Sequence, residues 1–167
     1  MDRRGLNETL RLLARKYAEI ARETLGDDLI SVVLFGSVAR GEATPTSDID
    51  ILLVVRGLPA KGAFKRRAVI EPVRERITED LESLWQKGVY VDFVEVLYTP
   101  EEAQVVRPIY LDMTEEAVLL YDKEGFFEGI LKRLRERLRE IGAQRKTLGK
   151  IRYWDLTPDG TPREVVL

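Results

Sequence analysis

Two aspartates separated by one apolar residue are the side chains in this chain with the clearest chemical potential. Asp48 and Asp50 open an apolar run. Residues two apart in a strand point to the same face, so the two carboxylates should lie side by side. Two anions that close repel each other unless a cation lies between them. The pattern therefore indicates a shared divalent metal ion, the alternative being a strand end with two solvated carboxylates.

A glycine-serine pair precedes these aspartates. Gly36 and Ser37 directly follow an apolar stretch, Leu29–Phe35, that predicts a buried strand. A glycine there lets the backbone approach a ligand closely, and a helix beginning there directs free amides at it, which suits phosphate. The Ser37 hydroxyl could bind a phosphate oxygen. The alternative is an ordinary strand-to-helix turn capped by Ser37. The glycine-serine turn and the carboxylate pair together are more specific than either alone.

The composition narrows the chemistry further. The chain has no cysteine and no histidine, which excludes thiolate chemistry, disulfides and Ser-His-Asp catalysis. An enzyme of this composition must use carboxylates, hydroxyls, amides, Lys, Arg or a metal held by oxygen, and oxygen ligands suit Mg²⁺ or Mn²⁺. The formal charge of −2 creates no global field for nucleic acid or membrane. With no apolar run of membrane-spanning or signal-peptide length, we expect a cytoplasmic protein.

The hydrophobic pattern predicts an α/β (α+β) fold with helices and strands around one sheet. It predicts a helix start at Thr99-Pro100 that is limited by Pro108, a kink or helix start near Pro72, and an irregular tail after Gly149. The predicted helices cover 6–25, 64–87 and 125–141, and the predicted strands cover Leu29–Phe35, 48–55, 89–97 and 117–121.

The segment from Gly36 to Asp50 resembles a known signature. It reads Gly-Ser-Val-Ala-Arg-Gly-Glu and, after a short turn, Ser-Asp-Ile-Asp. This resembles the DNA polymerase β-like nucleotidyltransferase superfamily, and more narrowly the minimal nucleotidyltransferases of bacteria and archaea. The resemblance implies a nucleotidyltransferase fold, a mixed sheet of about four strands flanked by helices. It implies a nucleotidyltransferase domain over 1–122, with a basic helix and tail over 123–167 that packs on the same domain or lies at an interface.

The family pattern also implies a third carboxylate on a later strand. Asp92 and Glu95 are three apart, so they should face opposite sides of a strand and only one can join the site. By resemblance, Asp92 matches the third acid, which leaves Glu95 as a surface or packing-edge charge. We expect Arg40 to support the loop by an ion pair or phosphate contact and Ser47 to cap the turn before Asp48.

The resemblance implies transfer of a nucleoside monophosphate, adenylate being expected, from a nucleoside triphosphate to a hydroxyl. Asp48, Asp50 and Asp92 would hold two Mg²⁺ or Mn²⁺ ions, and Gly36, Ser37, Arg40 and Ser47 would contact the nucleotide. Many such proteins act as antitoxins that modify a tyrosine of a HEPN-type toxin, and this implies a helical protein partner. Other readings stay open: a non-catalytic module that masks a partner, transfer to RNA or a small molecule, and a homo-oligomer.

The segment between Lys132 and Arg152 is strongly basic, with nine Lys and Arg residues against two glutamates. This pattern is compatible with a docking face for RNA or an acidic protein. It is equally typical of the solvated face of an amphipathic helix that carries Glu–Arg pairs. The sequence alone leaves both interpretations open.

Overall fold

The computed structural model describes residues 2–149 and 151–160. Within them the chain alternates helices and strands in an order that places one sheet at the centre. The helices are α1 Arg3–Leu25, α2 Gly36–Arg40, α3 Ala63–Trp85, α4 Pro100–Ala103, α5 Pro108–Glu116 and α6 Phe126–Glu140. The strands are β1 Leu29–Phe35, β2 Ile49–Val55, β3 Phe93–Tyr98, β4 Val118–Asp122, β5 Gln144–Leu148 and β6 Ile151–Asp155.

The central sheet has four strands in the order β3-β2-β1-β4. Strand β1 is antiparallel to β2 and β4, whereas β2 and β3 are parallel. Every side chain of β2 is buried except that of Asp50, which is half-buried. A strand covered on both faces should be almost entirely apolar, so the half-buried aspartate stands out. The mixed four-stranded sheet flanked by helices confirms the predicted fold class.

Apolar clusters on the two faces of the sheet hold the layers together. On one face α1 and α3 pack on the sheet, and Tyr17 stacks on Phe93 with ring centroids 4.5 Å apart. On the other face α5 and α6 pack, and Tyr110 meets Phe127 edge-on at 5.3 Å. Each large apolar side chain buried in this way contributes roughly 1.5–3 kcal/mol. Strands β1 and β2, which carry the candidate residues at their ends, are therefore packed between two layers of helices.

Two predicted boundaries near the site need correction. Strand β3 begins at Phe93 and not at residue 89, because the Tyr90 amide donates to the Pro45 carbonyl (2.7 Å) and does not join the ladder with β2. Helix α3 runs from Ala63 to Trp85 with Pro72 inside it, so this proline does not start the helix.

The C-terminal part was predicted less well. Pro108 begins α5 and does not merely limit the preceding helix, because a proline at the first helical position lacks only an amide that would have no partner there. The tail predicted to be irregular contains β6, which pairs antiparallel with β5 to form a hairpin. The basic segment between Lys132 and Arg152 is consequently divided between α6 and this hairpin.

Among the described residues, no helix combines the length and the apolar character that crossing a membrane requires.

Candidate active site

Gly36 and Asp50 form the closest approach of backbone and carboxylate in the site. The antiparallel pairing of β1 and β2 places Phe35 opposite Asp50, and Gly36 follows with φ 71°. A Cβ on Gly36 would lie 2.1 Å from Oδ2 of Asp50, well inside contact distance. Only glycine combines this left-handed backbone with so close an approach. Gly36 was predicted to let a ligand approach the backbone closely. In the structure, its missing side chain leaves room for the Asp50 carboxylate.

Asp48 and Asp50 form an acidic pair at the start of β2. Asp48 is exposed and Asp50 is half-buried. Burial raises the pKa of Asp50, the negative charge of Asp48 raises it further, and the Arg40 charge opposes both. Both carboxylates are oxygen donors, and a divalent cation would relieve the repulsion between them. The donor set of Asp48 and Asp50 therefore fits a hard divalent metal.

Helix α2 carries Gly36, Ser37 and Arg40, and its carboxyl end is anchored to α1. Nε of Arg11 donates to the Val38 carbonyl (3.1 Å), and Nη2 donates to the Ala39 carbonyl (2.6 Å). The Val38 carbonyl also accepts from the Gly41 amide (3.2 Å), so Arg11 adds a second bond there and binds the Ala39 carbonyl in the last turn of the helix. Arg11 was not predicted from the sequence, because an arginine on the polar face of an amphipathic helix resembles any solvated charge.

Arg40 and Ser47 both bind neighbouring protein groups. Nε of Arg40 donates to Glu42 (2.9 Å), and Nη1 donates to Glu116 (3.0 Å). The Ser47 hydroxyl accepts from the Thr44 amide (2.9 Å) and so closes the turn before Asp48. A contact of either residue with a nucleotide stays a prediction.

Asp92 lies beside the acidic pair in the backbone but its carboxylate is bound elsewhere. The Ile49 amide donates to the Asp92 carbonyl (2.8 Å), which places Asp92 next to the start of β2. Its carboxylate accepts from Nη2 of Arg74 at 2.9 and 3.0 Å. Across residues 2–149 and 151–160, no three acidic side chains are grouped so as to hold a metal ion. The structure thus brings Asp48 and Asp50 together and leaves Asp92 with Arg74.

Glu95 was expected to be a surface or packing-edge charge on the opposite side from Asp92, and the surface reading is wrong. Its side chain is 5% exposed. The carboxylate accepts from Nη1 of Arg74 at 2.7 and 2.8 Å and from the Tyr17 hydroxyl at 3.3 Å. Asp92 and Glu95 reach one guanidinium because Asp92 precedes β3, where strand alternation no longer applies. Burial raises the pKa of Glu95, against the effect of Arg74.

The site strands fall within a stretch that matches a known family. Residues 14–121 match the family model described as Nucleotidyltransferase domain. This chain belongs to that family. A Methanocaldococcus jannaschii protein whose name describes it as a protein adenylyltransferase is 30% identical over 143 residues, covering 84% of this chain and 88% of that protein. The chain is therefore a nucleotidyltransferase, as its motif predicted.

Solved structures of similar proteins were also found. A Sulfolobus solfataricus protein described as a nucleotidyltransferase is 25% identical, with a TM-score of 0.42 over 74% of this chain and 91% of that one. A chain of a toxin-antitoxin complex with AMP-PNP is 16% identical, with a TM-score of 0.45 over 77% of this chain and 92% of that one.

Proposed function

We propose that this nucleotidyltransferase transfers adenylate from ATP to a hydroxyl of a protein, with release of pyrophosphate and dependence on Mg²⁺ or Mn²⁺. The observation that carries the proposal is the contact of the Gly36 backbone with the Asp50 carboxylate. Through this contact, the glycine-serine turn at the junction of β1 with α2, which suits phosphate, lies against the carboxylate at the start of β2, which suits a metal ion.

Five of the candidate residues have a direct part in the proposed transfer. Gly36 and Ser37 bind the triphosphate, and Asp48 and Asp50 hold the divalent metal. When bound, the metal neutralises charge on the phosphates and favours departure of pyrophosphate. The acceptor oxygen forms a bond to the α-phosphorus as the bond to pyrophosphate breaks, and Asp92 is the candidate acceptor of the hydroxyl proton. Most of the acceleration then comes from positioning and charge neutralisation.

The acceptor is proposed to be a protein because the Methanocaldococcus relative, which covers most of this chain, is named for adenylyl transfer to protein. A tyrosine of a HEPN-type helical partner is the particular acceptor that the resemblance of the Gly36–Asp50 segment to the minimal nucleotidyltransferases implies. Such a partner gives the chain an antitoxin role. RNA is the alternative acceptor, and the experiment below separates the two.

The test is transfer of label from α-labelled triphosphates in the presence of Mg²⁺. Each of the four nucleotides is offered with a HEPN-type protein and, separately, with RNA. We expect label from ATP on the protein and its loss with Asp50→Asn. Asp27→Asn is the matched control, because this fully exposed carboxylate pairs only with Lys123 among the described residues and lies before β1, at the end of the strand opposite Gly36.

Label on RNA alone would overturn the protein acceptor while keeping the transferase activity. Undiminished transfer by Asp50→Asn would contradict the assignment of the site.

A further inference from the structure

The C-terminal hairpin reaches the loop that carries the site. Nη1 of Arg152, on β6, donates to Oε2 of Glu42 at 3.0 Å, and Nη2 binds the other carboxylate oxygen. The same Glu42 accepts from Nε of Arg40. Hydrogen bonds between charged partners are shorter and stronger than those between neutral partners, and a bidentate contact also fixes the orientation of the guanidinium. Glu42 therefore connects the hairpin to Arg40.

A second connection runs from the other strand of the hairpin. Nη2 of Arg145, on β5, binds Oε1 of Glu116 at the end of α5 and lies 3.3 Å from Asp112. The Glu116 side chain is only 10% exposed, and its second oxygen accepts from Nη1 of Arg40. An ion pair that is mostly shielded from solvent is screened less than an exposed pair, so its attraction is stronger. Each strand of the hairpin is thus connected to Arg40 through one glutamate, β6 through Glu42 and β5 through Glu116.

Arg40 is held at two of its donor nitrogens and keeps another available. Nε is fixed by Glu42 and Nη1 by Glu116, whereas Nη2 makes no hydrogen bond within the part of the chain that the structure describes. Arg40 lies on α2, four residues after Gly36, and its charge acts on Asp50. A guanidinium fixed in this way presents its remaining donors to a phosphate without a further loss of side-chain freedom.

We propose that Arg145 and Arg152 are positioning residues that, through Glu116 and Glu42, fix Arg40 beside the Asp48–Asp50 pair to bind the triphosphate. The inference rests on the proposed function, because it assumes that a triphosphate occupies this site. It assigns the hairpin a part in substrate binding that its place at the end of the chain, outside the matched residues 14–121, does not suggest.

A double-mutant cycle on ATP affinity tests the route through Arg40. The dissociation constant of ATP with Mg²⁺ is measured by calorimetry for Arg152→Ala, Arg40→Ala and the double variant. Arg152→Ala is expected to weaken binding roughly two- to fivefold, the range of a partly exposed ion pair. In the Arg40→Ala background the same change should add nothing, because coupled residues are not additive. Arg152→Lys keeps the charge and should recover part of the loss.

The matched control lies in the same hairpin. Lys146 pairs with Asp155 across the two strands at 2.6 Å and touches neither Glu42 nor Glu116 among the described contacts. Lys146→Ala weakens the hairpin itself but leaves the Arg152 and Arg145 contacts in place. It should leave ATP affinity unchanged, which separates positioning of Arg40 from general loosening of the C-terminal segment.

A second readout needs no nucleotide. The Nε–Hε proton of Arg40, bonded to Glu42, should exchange slowly with solvent in the wild type. It should exchange faster in Arg152→Ala and stay slow in Lys146→Ala, as observed by NMR. Failure of wild-type binding would overturn the proposed function, and unchanged Arg40 exchange would overturn the positioning role. The positioning role would also be overturned if Arg152→Ala weakened ATP binding equally in the wild type and in the Arg40→Ala variant.

Discussion

At the residue scale, the site depends on the absence of a side chain at Gly36. Its backbone has a left-handed φ, and the Asp50 carboxylate occupies the volume that a Cβ would take. A substitution there has two separable costs: one from the backbone and one from the displaced carboxylate. The chain contains a glycine that carries only the first cost. Gly57, just after β2, has the same φ of 71° with no heavy atom within 4 Å of its would-be Cβ.

The pair gives a controlled prediction. Gly57→Ala should lower the free energy of unfolding by about 1–2 kcal/mol, the cost of a left-handed backbone for a residue with a Cβ, and should leave ATP affinity intact. Gly36→Ala has the same backbone cost and must also displace Asp50, so it should abolish ATP binding. Urea unfolding and calorimetry measure the two effects. Equal affinities for the two variants would show that the contact with Asp50 has no part in the site.

A second prediction concerns Arg74, which is 14% exposed and binds the buried carboxylate of Glu95. Removing one partner of a buried pair leaves an uncompensated charge, so Arg74→Gln should lower the free energy of unfolding by about 3–5 kcal/mol. Arg76→Gln is the control on the same helix, since Arg76 pairs with exposed Glu23 and should cost less than about 1 kcal/mol. Chemical denaturation of both variants compares them, and equal losses would contradict a special role for Arg74.

The sequence predicted the local placement of the candidate residues better than their side-chain partners. Gly36, Asp48 and Asp50 follow from strand alternation and the place of a glycine after a strand, which are local rules. The partners Arg11 and Arg74 depend on which helix packs near which loop. Nothing in the spacing of the sequence encodes those contacts. The contact of Asp92 with Arg74 was missed for the same reason, and the place of Asp92 as the third carboxylate of the site stays a prediction.

At the element scale, helix and strand periodicity predicted the central sheet and the long helices, but short polar elements were missed. Helix α5 is short and begins at a proline, Pro108, that was interpreted as the limit of the preceding helix. Three large apolar side chains of the β5-β6 hairpin, Leu148, Ile151 and Tyr153, are exposed. The hairpin docks on the domain through other side chains, including the bond from Trp154 to Asp112 at 3.1 Å. Elements that depend on tertiary contacts leave little signal in local sequence.

The start of α4 shows an element fixed by charge, and it predicts a pH dependence. Glu102 closes a capping box with Thr99 and accepts from Nη1 and Nη2 of Arg66 at 2.7 and 2.8 Å. Arg66 is the main cause that lowers the pKa of Glu102 from 4.5 to about 2. A lowered carboxyl pKa gives stability that is fully present above the unfolded value and is lost as pH falls through the folded one.

Glu102→Gln should therefore lower the free energy of unfolding near neutral pH by up to about 1 kcal/mol, since the pair is partly exposed. The gap between variant and wild type should narrow as pH falls from 4.5 towards about 2. Urea unfolding of both proteins at several pH values across this range measures the difference in their free energies of unfolding. Glu79→Gln, on an exposed residue of α3 with no ion pair among the described residues, should show no such trend. A gap that does not vary with pH would contradict the assigned role of Arg66.

At the scale of the whole molecule, segments far apart in the chain converge on one loop. Helix α1 holds the carboxyl end of α2 through Arg11, and the C-terminal hairpin contacts Glu42 just after α2 through Arg152. The short helix that carries Gly36 and Ser37 is thereby fixed from both ends of the chain. Preorganisation of this kind suits a reaction in which the protein mainly positions and neutralises charged groups.

The most direct test of the site is the affinity for ATP measured by calorimetry with Mg²⁺ and after its removal by chelation, for the wild type and for Asp50→Asn. The wild type should lose at least roughly tenfold in affinity without Mg²⁺, because the metal contributes several kcal/mol to holding the phosphates. Asp50→Asn should bind weakly in both conditions. Tight binding that is indifferent both to Mg²⁺ and to Asp50→Asn would contradict the assignment of Asp48, Asp50 and Gly36 to the transferase site.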